Sequence, residues 1–258
     1  MKVVKFIRPS PIQREEEYHM IIIPARIGST RFPSKVMADV LGVPMFARTA
    51  MAVSDVDDVV VATDSEEVAE RAKELGIESI LTSADHTSGT ERIYEAATKL
   101  GLDDREIVIN VQADEPFIEA EVVEAVYNTT AKHSDDHDVI ACSAYKSISN
   151  PEADDPNIVK VVTDDNGFAL YFSRSKIPFP RDHHFDGYKG HLGIYGFTMK
   201  SLSLYSEMKP CDLEHIEKLE QLRVLAHGYK IAMCEVETDS FGIDTIEDLQ
   251  RAIRKHTL

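Results

Sequence analysis

The stretch DDVVVATDSEEVAERAKELG, residues 57–76, reads as a strand followed at once by a helix. Val59, Val60 and Val61 are β-branched and suit a pleated sheet. Ser65 stands where a helix needs an N-cap, and Gly76 where it needs a left-handed stop. The same alternation extends outward in both directions. Upstream, MIIIPA (20–25) is a buried strand and VPMFARTAMAVS (43–54) a helix. Downstream, ESILT (78–82) and EIVINVQA (106–113) are strands, and TERIYEAATKLG (90–101) and EAEVVEAVYNTTAKH (119–133) are helices. Strands alternating with helices of this length specify βαβ units and a mainly parallel sheet.

The rhythm changes after residue 138. HDVIACSAYK (137–146), NIVKVVTDDNGFALYFSR (157–174) and GHLGIYGF (190–197) read as strands, the second folded into a hairpin by its DDNG turn. DLEHIEKLEQLRVLAHG (212–228) has Leu213, Ile216, Leu219, Leu222 and Leu225 at helical spacing and predicts one helix. KIAMCEV (230–236) and TIEDLQRAIRK (245–255) close the pattern as strand and helix. The expected organisation is an N-terminal extension over residues 1–19 and one open α/β domain over 20–258. A β-rich insertion is expected around 155–200.

The 258 residues are 43% hydrophobic and 28% charged, the balance of a globular protein. No window approaches the ~18 consecutive apolar residues of a membrane-spanning helix. The first residues carry Lys5 inside their apolar run and REEE after it, unlike a signal peptide, so the expected compartment is cytoplasmic. Cys142, Cys211 and Cys234 are widely spaced without a CxxC, which argues against a disulfide framework. A net charge of −17 disfavours nucleic acid and anionic membranes as partners.

Against that acidic background IIIPARIGSTRFPSK (21–35) gathers Arg26, Arg31 and Lys35 with no carboxylate between Glu17 and Asp39. A loop leaving a first parallel strand lies where open α/β sheets bind ligands, and Gly28, Ser29 and Thr30 let backbone amides approach an anion. The alternative is a solvated loop. It is not a Walker A loop, and no GxGxxG occurs in the chain. In INVQADEP (109–116), Gln112, Asp114 and Glu115 follow an apolar strand, where oxygen ligands could hold Mg²⁺ or simply cap the next helix. In GIDTIEDL (242–249), Thr245 and Asp248 have capping-box spacing, while Asp244 is either a second metal carboxylate or a helix-dipole partner. His183 and His184 read as solvated loop histidines, and SRSK (173–176) as a chance SxxK.

The motifs PARIGSTRFPSK, TSADHTSGTERI, NVQADEPFI, NIVKVVTDDNGFALYFSRSKIPF, GHLGIYGF, LEHIEKLEQLRVL and GIDTIEDL occur in this order from about residue 20 onward. Together they closely resemble the 3-deoxy-manno-octulosonate (Kdo) cytidylyltransferases. That resemblance implies a Rossmann-like nucleotidyltransferase fold and transfer of CMP from CTP to the anomeric hydroxyl of Kdo, with release of pyrophosphate. It further implies Mg²⁺ as cofactor, a homodimer formed through the β-rich insertion, and a place in lipopolysaccharide biosynthesis. By position, Arg26, Arg31 and Lys35 would lie along the triphosphate, with Lys35 catalytic, and Ala25, Ser88 and Gly89 near the nucleotide. Gln112, Arg174, His191, Tyr195, Glu220 and Gln221 would surround the sugar acid, and Asp114 and Asp244 would hold the metal and share in catalysis. Arg92 also falls in a family motif, without an assigned role.

One departure is visible: the family writes QGDEP where this chain has Ala113. If the backbone there needs a positive φ, Ala would add ~1 kcal/mol of strain. The competing readings are the same chemistry on 8-amino-Kdo or sialic acid, and a non-catalytic nucleotide-sensing module. The last would be expected to lack one of the two aspartates, and both are present.

Overall fold

The computed structural model describes residues 19–28, 32–86, 88–182 and 184–257. The described residues open with β1 (His19–Ala25), then a 3₁₀ turn at Lys35–Met37 and a small ribbon of β2 (Asp39–Val40) and β3 (Val43–Pro44). Next come α1 (Met45–Val53), β4 (Val59–Thr63), α2 (Glu66–Glu74), β5 (Glu78–Leu81), α3 (Gly89–Leu100), β6 (Ile107–Asn110) and α4 (Ala120–Lys132). These elements match the sequence expectation closely. Ser65 Oγ accepts from the Val68 amide at the start of α2, and Gly76 has φ 76° at its end.

The second half holds β7 (Val139–Ile148), α5 (Asn150–Ala153), β8 (Lys160–Thr163), β9 (Ala169–Ser173) and β10 (Tyr188–Thr198). It ends with α6 (Met199–Glu207), α7 (Asp212–Glu217), α8 (Leu222–Ala226), β11 (Lys230–Glu235) and α9 (Ile246–Thr257). The main path of the sheet runs β11-β7-β10-β6-β1-β4-β5, with the β8–β9 hairpin attached to β10. Neighbours on this path are parallel, except that β10 runs antiparallel to both β6 and β7.

Alternation along the strands makes three layers. Ile22, Val60 and Val108 pack with Ile93 and Ala97 of α3 and Leu202 of α6 on one face. Ile21, Ile23, Val61 and Ile109 pack with Phe46 of α1, Val68 of α2 and Val126 of α4 on the other. From β1 the chain first builds outward through β4 to β5, then returns through α3 to place β6 on β1's other side. The loops leaving β1 and β6 therefore diverge, and the crevice between them is the switch point where open α/β sheets take ligands.

Three expectations need correction. The stretch 155–200 is not wholly an appendage, because β10 is a central strand bonded to β6 and β7; only the β8–β9 hairpin lies off the main path. The predicted helix over 212–228 is two helices, interrupted where Lys218 adopts φ 55°. Apolar spacing alone suggested continuity, yet Ile216 is 76% exposed and joins no core. Residue 19, assigned to the extension, already pairs in β1, and residues 1–18 lie outside the described residues.

Candidate active site

Three backbone segments meet at the switch point. The first follows β1, whose last residue Ala25 is fully buried against Thr63 of β4. Arg26 is exposed just beyond it, and the 3₁₀ turn brings Lys35 back over the crevice. The second follows β6 and carries Gln112 and Asp114. The third precedes α9 and carries Asp244; the Ile243 amide donates to the Asp114 carbonyl at 2.9 Å, which ties these two segments together. Thr245 and Asp248 form the expected reciprocal cap, with the Asp248 amide donating to Thr245 Oγ1 and the Thr245 amide to Asp248 Oδ2.

The result is convergence of two carboxylates distant in sequence. Lys35 Nζ donates to Asp114 Oδ2 at 2.5 Å and to Asp244 Oδ1 at 3.0 Å. Burial by itself would lower the Lys35 ammonium, but the charges and hydrogen bonds of Asp114 and Asp244 outweigh it and shift its pKa upward. Next to Asp114, the Glu115 carboxyl is pushed up to about 8 by its enclosure and then by the Asp114 charge, against the Ser240 hydroxyl that donates to it. Asp114 and Asp244 are hard oxygen donors aimed at one point, which suits Mg²⁺ completed by substrate phosphates and water. Among the described residues no group of three or more His, Cys, Asp or Glu could cage an ion without such help.

A cavity of about 830 Å³ runs from these aspartates along the sheet and is lined by Gly89, Gln112, Arg174 and His191 among others. Tyr195, Glu220 and Gln221 also face it. Four residues of straight strand would separate His191 from Tyr195 by roughly 13 Å. An irregularity in the β7–β10 register between Leu192 and Tyr195 bends the strand, and the two rings lie 5.5 Å apart. Enclosure pushes the His191 imidazole down to about 3, and Ser143 Oγ lies 3.0 Å from its Nε2. The Tyr195 phenol is pushed well up by burial and then by the Glu220 charge. Glu220 is itself raised by burial, and accepts from Thr90 Oγ1 at 3.3 Å.

The residues expected around the sugar acid and the two aspartates thus share one cavity, with Gly89 on its wall, whereas Ala25, Arg26, Lys35 and Ser88 do not line it. Ser88 Oγ caps α3 by accepting from the Glu91 amide at 3.1 Å, so its hydroxyl has a structural task. Arg174 lies on the cavity wall with Nε donating to the Glu217 carbonyl at 2.7 Å and Nη1 to the Pro156 carbonyl at 3.0 Å. The Arg31 expectation lies outside the described residues, as does His183. Ala113 is buried, and the non-glycine residues of positive φ among the described residues are Ser34, Leu41 and Lys218. The feared strain at position 113 is therefore absent.

Sequence reasoning overlooked Lys146 and Glu217. Lys146 lines the cavity and its Nζ donates to the Thr238 and Ser240 carbonyls. Glu217 accepts from Ser173 Oγ at 2.6 Å and from the Arg174 amide at 2.9 Å, fastening β9 to the end of α7. Both rest on contacts between distant segments, and neither carries a local sequence signal.

The architecture agrees with what known proteins show. A cytidylyltransferase family model matches residues 20–231. A 3-deoxy-manno-octulosonate cytidylyltransferase of a Nitratiruptor species is 55% identical over 232 residues, covering 90% of this chain and 97% of the relative. The chain belongs to the 3-deoxy-manno-octulosonate cytidylyltransferases. A second member of that family, from Wolinella succinogenes, is 53% identical and covers 91% of this chain and 98% of itself. Among solved structures, a CMP:2-keto-3-deoxy-manno-octonic acid synthetase complexed with CTP superposes with TM-score 0.84 at 37% identity. That match covers 93% of this chain and 98% of the other. The nucleotidyltransferase fold of this Kdo cytidylyltransferase is the one expected from its sequence.

Proposed function

We infer that this cytidylyltransferase transfers CMP from CTP to the anomeric hydroxyl of Kdo. Named relatives that align along nearly the whole chain support the reaction, and the meeting of Asp114, Asp244 and Lys35 carries the assignment of the site. The sugar oxygen forms a bond to the α-phosphorus while the bond to the bridging oxygen breaks, and pyrophosphate departs with that electron pair. Such a transfer requires positioning and charge neutralisation more than a protein nucleophile.

Asp114 and Asp244 are the proposed holders of Mg²⁺, which when bound supplies charge neutralisation at phosphate and lowers the pKa of the attacking hydroxyl. Arg26, Arg31 and Lys35 neutralise charge growing on the departing pyrophosphate. Ala25, Ser88 and Gly89 are proposed to meet the nucleotide through their backbone. Gln112, His191, Tyr195, Glu220 and Gln221 form the sugar wall. The His191 imidazole is neutral near pH 7 and offers a hydrogen bond, not a charge. Arg174 is proposed to contact the sugar acid from the cavity edge.

A cytoplasmic enzyme of lipopolysaccharide biosynthesis fits this reaction. Among the described residues no helix is long and apolar enough to cross a membrane. A homodimer through the β8–β9 region is proposed as well, supported by exposed apolar side chains on and after it: Leu170 at 62% and Phe179 at 84%.

Pyrophosphate release from CTP, Mg²⁺ and Kdo tests the function, with UTP, ATP and sialic acid as comparison substrates. Release is expected with CTP and Kdo together, and 8-amino-Kdo in parallel fixes the sugar preference. No release with any sugar acid overturns the assignment.

A further inference from the structure

Arg92 is the largest of the fully buried side chains, at 1% exposure, and its charge is paired with the carboxylate of Asp64. It rises from the first turn of α3 toward the ends of β4 and β5. Its Nη2 donates to Asp64 Oδ2 at 3.0 Å, just past the end of β4. Its Nη1 donates to Thr82 Oγ1 at 2.6 Å and to the Ser83 carbonyl at 3.2 Å, just past the end of β5. The second Asp64 oxygen, Oδ1, accepts from the Ile27 amide at 3.3 Å. Ile27 follows Arg26 in the loop that leaves β1. Four residues before Arg92 stands Ser88, then Gly89, where an added Cβ would meet Pro24 Cγ at 3.4 Å.

One guanidinium therefore ties together the two backbone segments assigned to the nucleotide, the β1 loop and the start of α3. We propose that Arg92, acting through Asp64 and the Ile27 amide, is a positioning residue for CTP. The forked geometry of Arg suits this task, since one edge reaches the carboxylate while the other holds two oxygen acceptors across the strand ends. Lysine keeps the charge and loses the fork. Asparagine at 64 keeps the shape and replaces one of the two acceptor oxygens by an amide donor, so it cannot serve Arg92 and Ile27 together. The inference rests on the reading that the β1 loop binds the triphosphate of CTP.

The test compares Arg92→Lys, Asp64→Asn, their double variant and Lys35→Ala with the parent enzyme. Isothermal titration with Mg-CTP gives the nucleotide affinity, steady-state kinetics gives KM for Kdo, and hydrogen exchange gives protection of the Ile27 amide. Loss of one charge-assisted hydrogen bond predicts CTP affinity weaker by about tenfold in each single variant. The double variant should be no worse than the weaker single, because the two changes break one shared link. KM for Kdo should stay within about twofold, and Ile27 should exchange faster while Ile23 in β1 does not. A purely structural ion pair would lower stability without this selectivity.

CTP affinity within about twofold of the parent in folded variants overturns the proposal, as does a KM for Kdo rising in step. If Arg92→Lys does not fold, Asp64→Asn, at a site 15% exposed, decides alone. Should Lys35→Ala also leave CTP affinity unchanged, the β1 loop is not the triphosphate site and both readings fall. If Lys35→Ala weakens it while Arg92→Lys and Asp64→Asn do not, only the positioning role fails.

Discussion

The residues proposed for the nucleotide and those proposed for the sugar are positioned in different ways. Among those proposed for the nucleotide, each segment leaves the end of a parallel strand or opens the helix that follows one, so position follows from βαβ topology. On the sugar side, His191 and Tyr195 come from an antiparallel strand with a bulge, and Glu220 and Gln221 from a break between two short helices. The first arrangement comes with the fold, whereas the second depends on long-range contacts that clamp irregular backbone. The residues proposed for phosphate are thus seated at the ends of the parallel sheet, and most of those proposed for the sugar on parts that the sheet supports.

The sharpest way to break this contrast is at the carboxylates where the two sides meet. Asp114→Asn and Asp244→Asn should each lower kcat by roughly a thousandfold, about 4 kcal/mol in barrier, with little change in thermal unfolding. A variant within tenfold of the parent at saturating CTP and Kdo would remove that aspartate from the chemistry.

A smaller effect is expected on the sugar side. Arg223 Nε and Nη2 bond both oxygens of Glu214 at 2.8 and 2.6 Å, and the pair is buried beside the break that carries Glu220. Glu214→Gln leaves the guanidinium without its counter-charge and should cost about 3 kcal/mol in urea unfolding. KM for Kdo should rise with KM for CTP nearly constant; equal rises in both would show that the two sides are not built separately.

The last effect concerns pH and is read as a slope. His191 in the folded chain titrates near 3 against an ordinary 6.5, so between these values the unfolded chain binds the extra proton. Stability therefore falls as pH drops through that window, by at most about 1.4 kcal/mol per pH unit from this group. His191→Gln should flatten the slope in urea unfolding followed from about pH 7 to pH 4. An unchanged slope would mean that the imidazole is not held neutral in the cavity.

Most of the sheet was legible because short-range signals wrote it. Ser65 and Gly76 bound α2, and the apolar runs at 21–23 and 59–62 could only be buried strands. Asp114 and Asp244 were legible as residue types at strand and helix ends, though nothing local said that they meet; that follows from packing of α9 through Ala252 and of the segment before it through Ile243. The split at Lys218 escaped because Leu213 and Ile216 mimic a helical stripe while lying in solvent. β10 escaped as a core strand because an antiparallel insertion between parallel neighbours leaves no mark on its own sequence. Arg92 stood inside a quoted motif without a role, since its partners Asp64 and Ser83 are fixed only by the crossover.

The bond from the Ile243 amide to the Asp114 carbonyl has a consequence for biosynthesis. One half of the acidic pair is made before the midpoint of the chain and the other only after residue 243. Every strand named above precedes Asp244 in the chain, so all of them are synthesised before the acidic pair can close. With Asp244 in the proposed role, the acidic pair closes only once the segment before α9 has docked on the Asp114 loop, the last of these contacts to be synthesised.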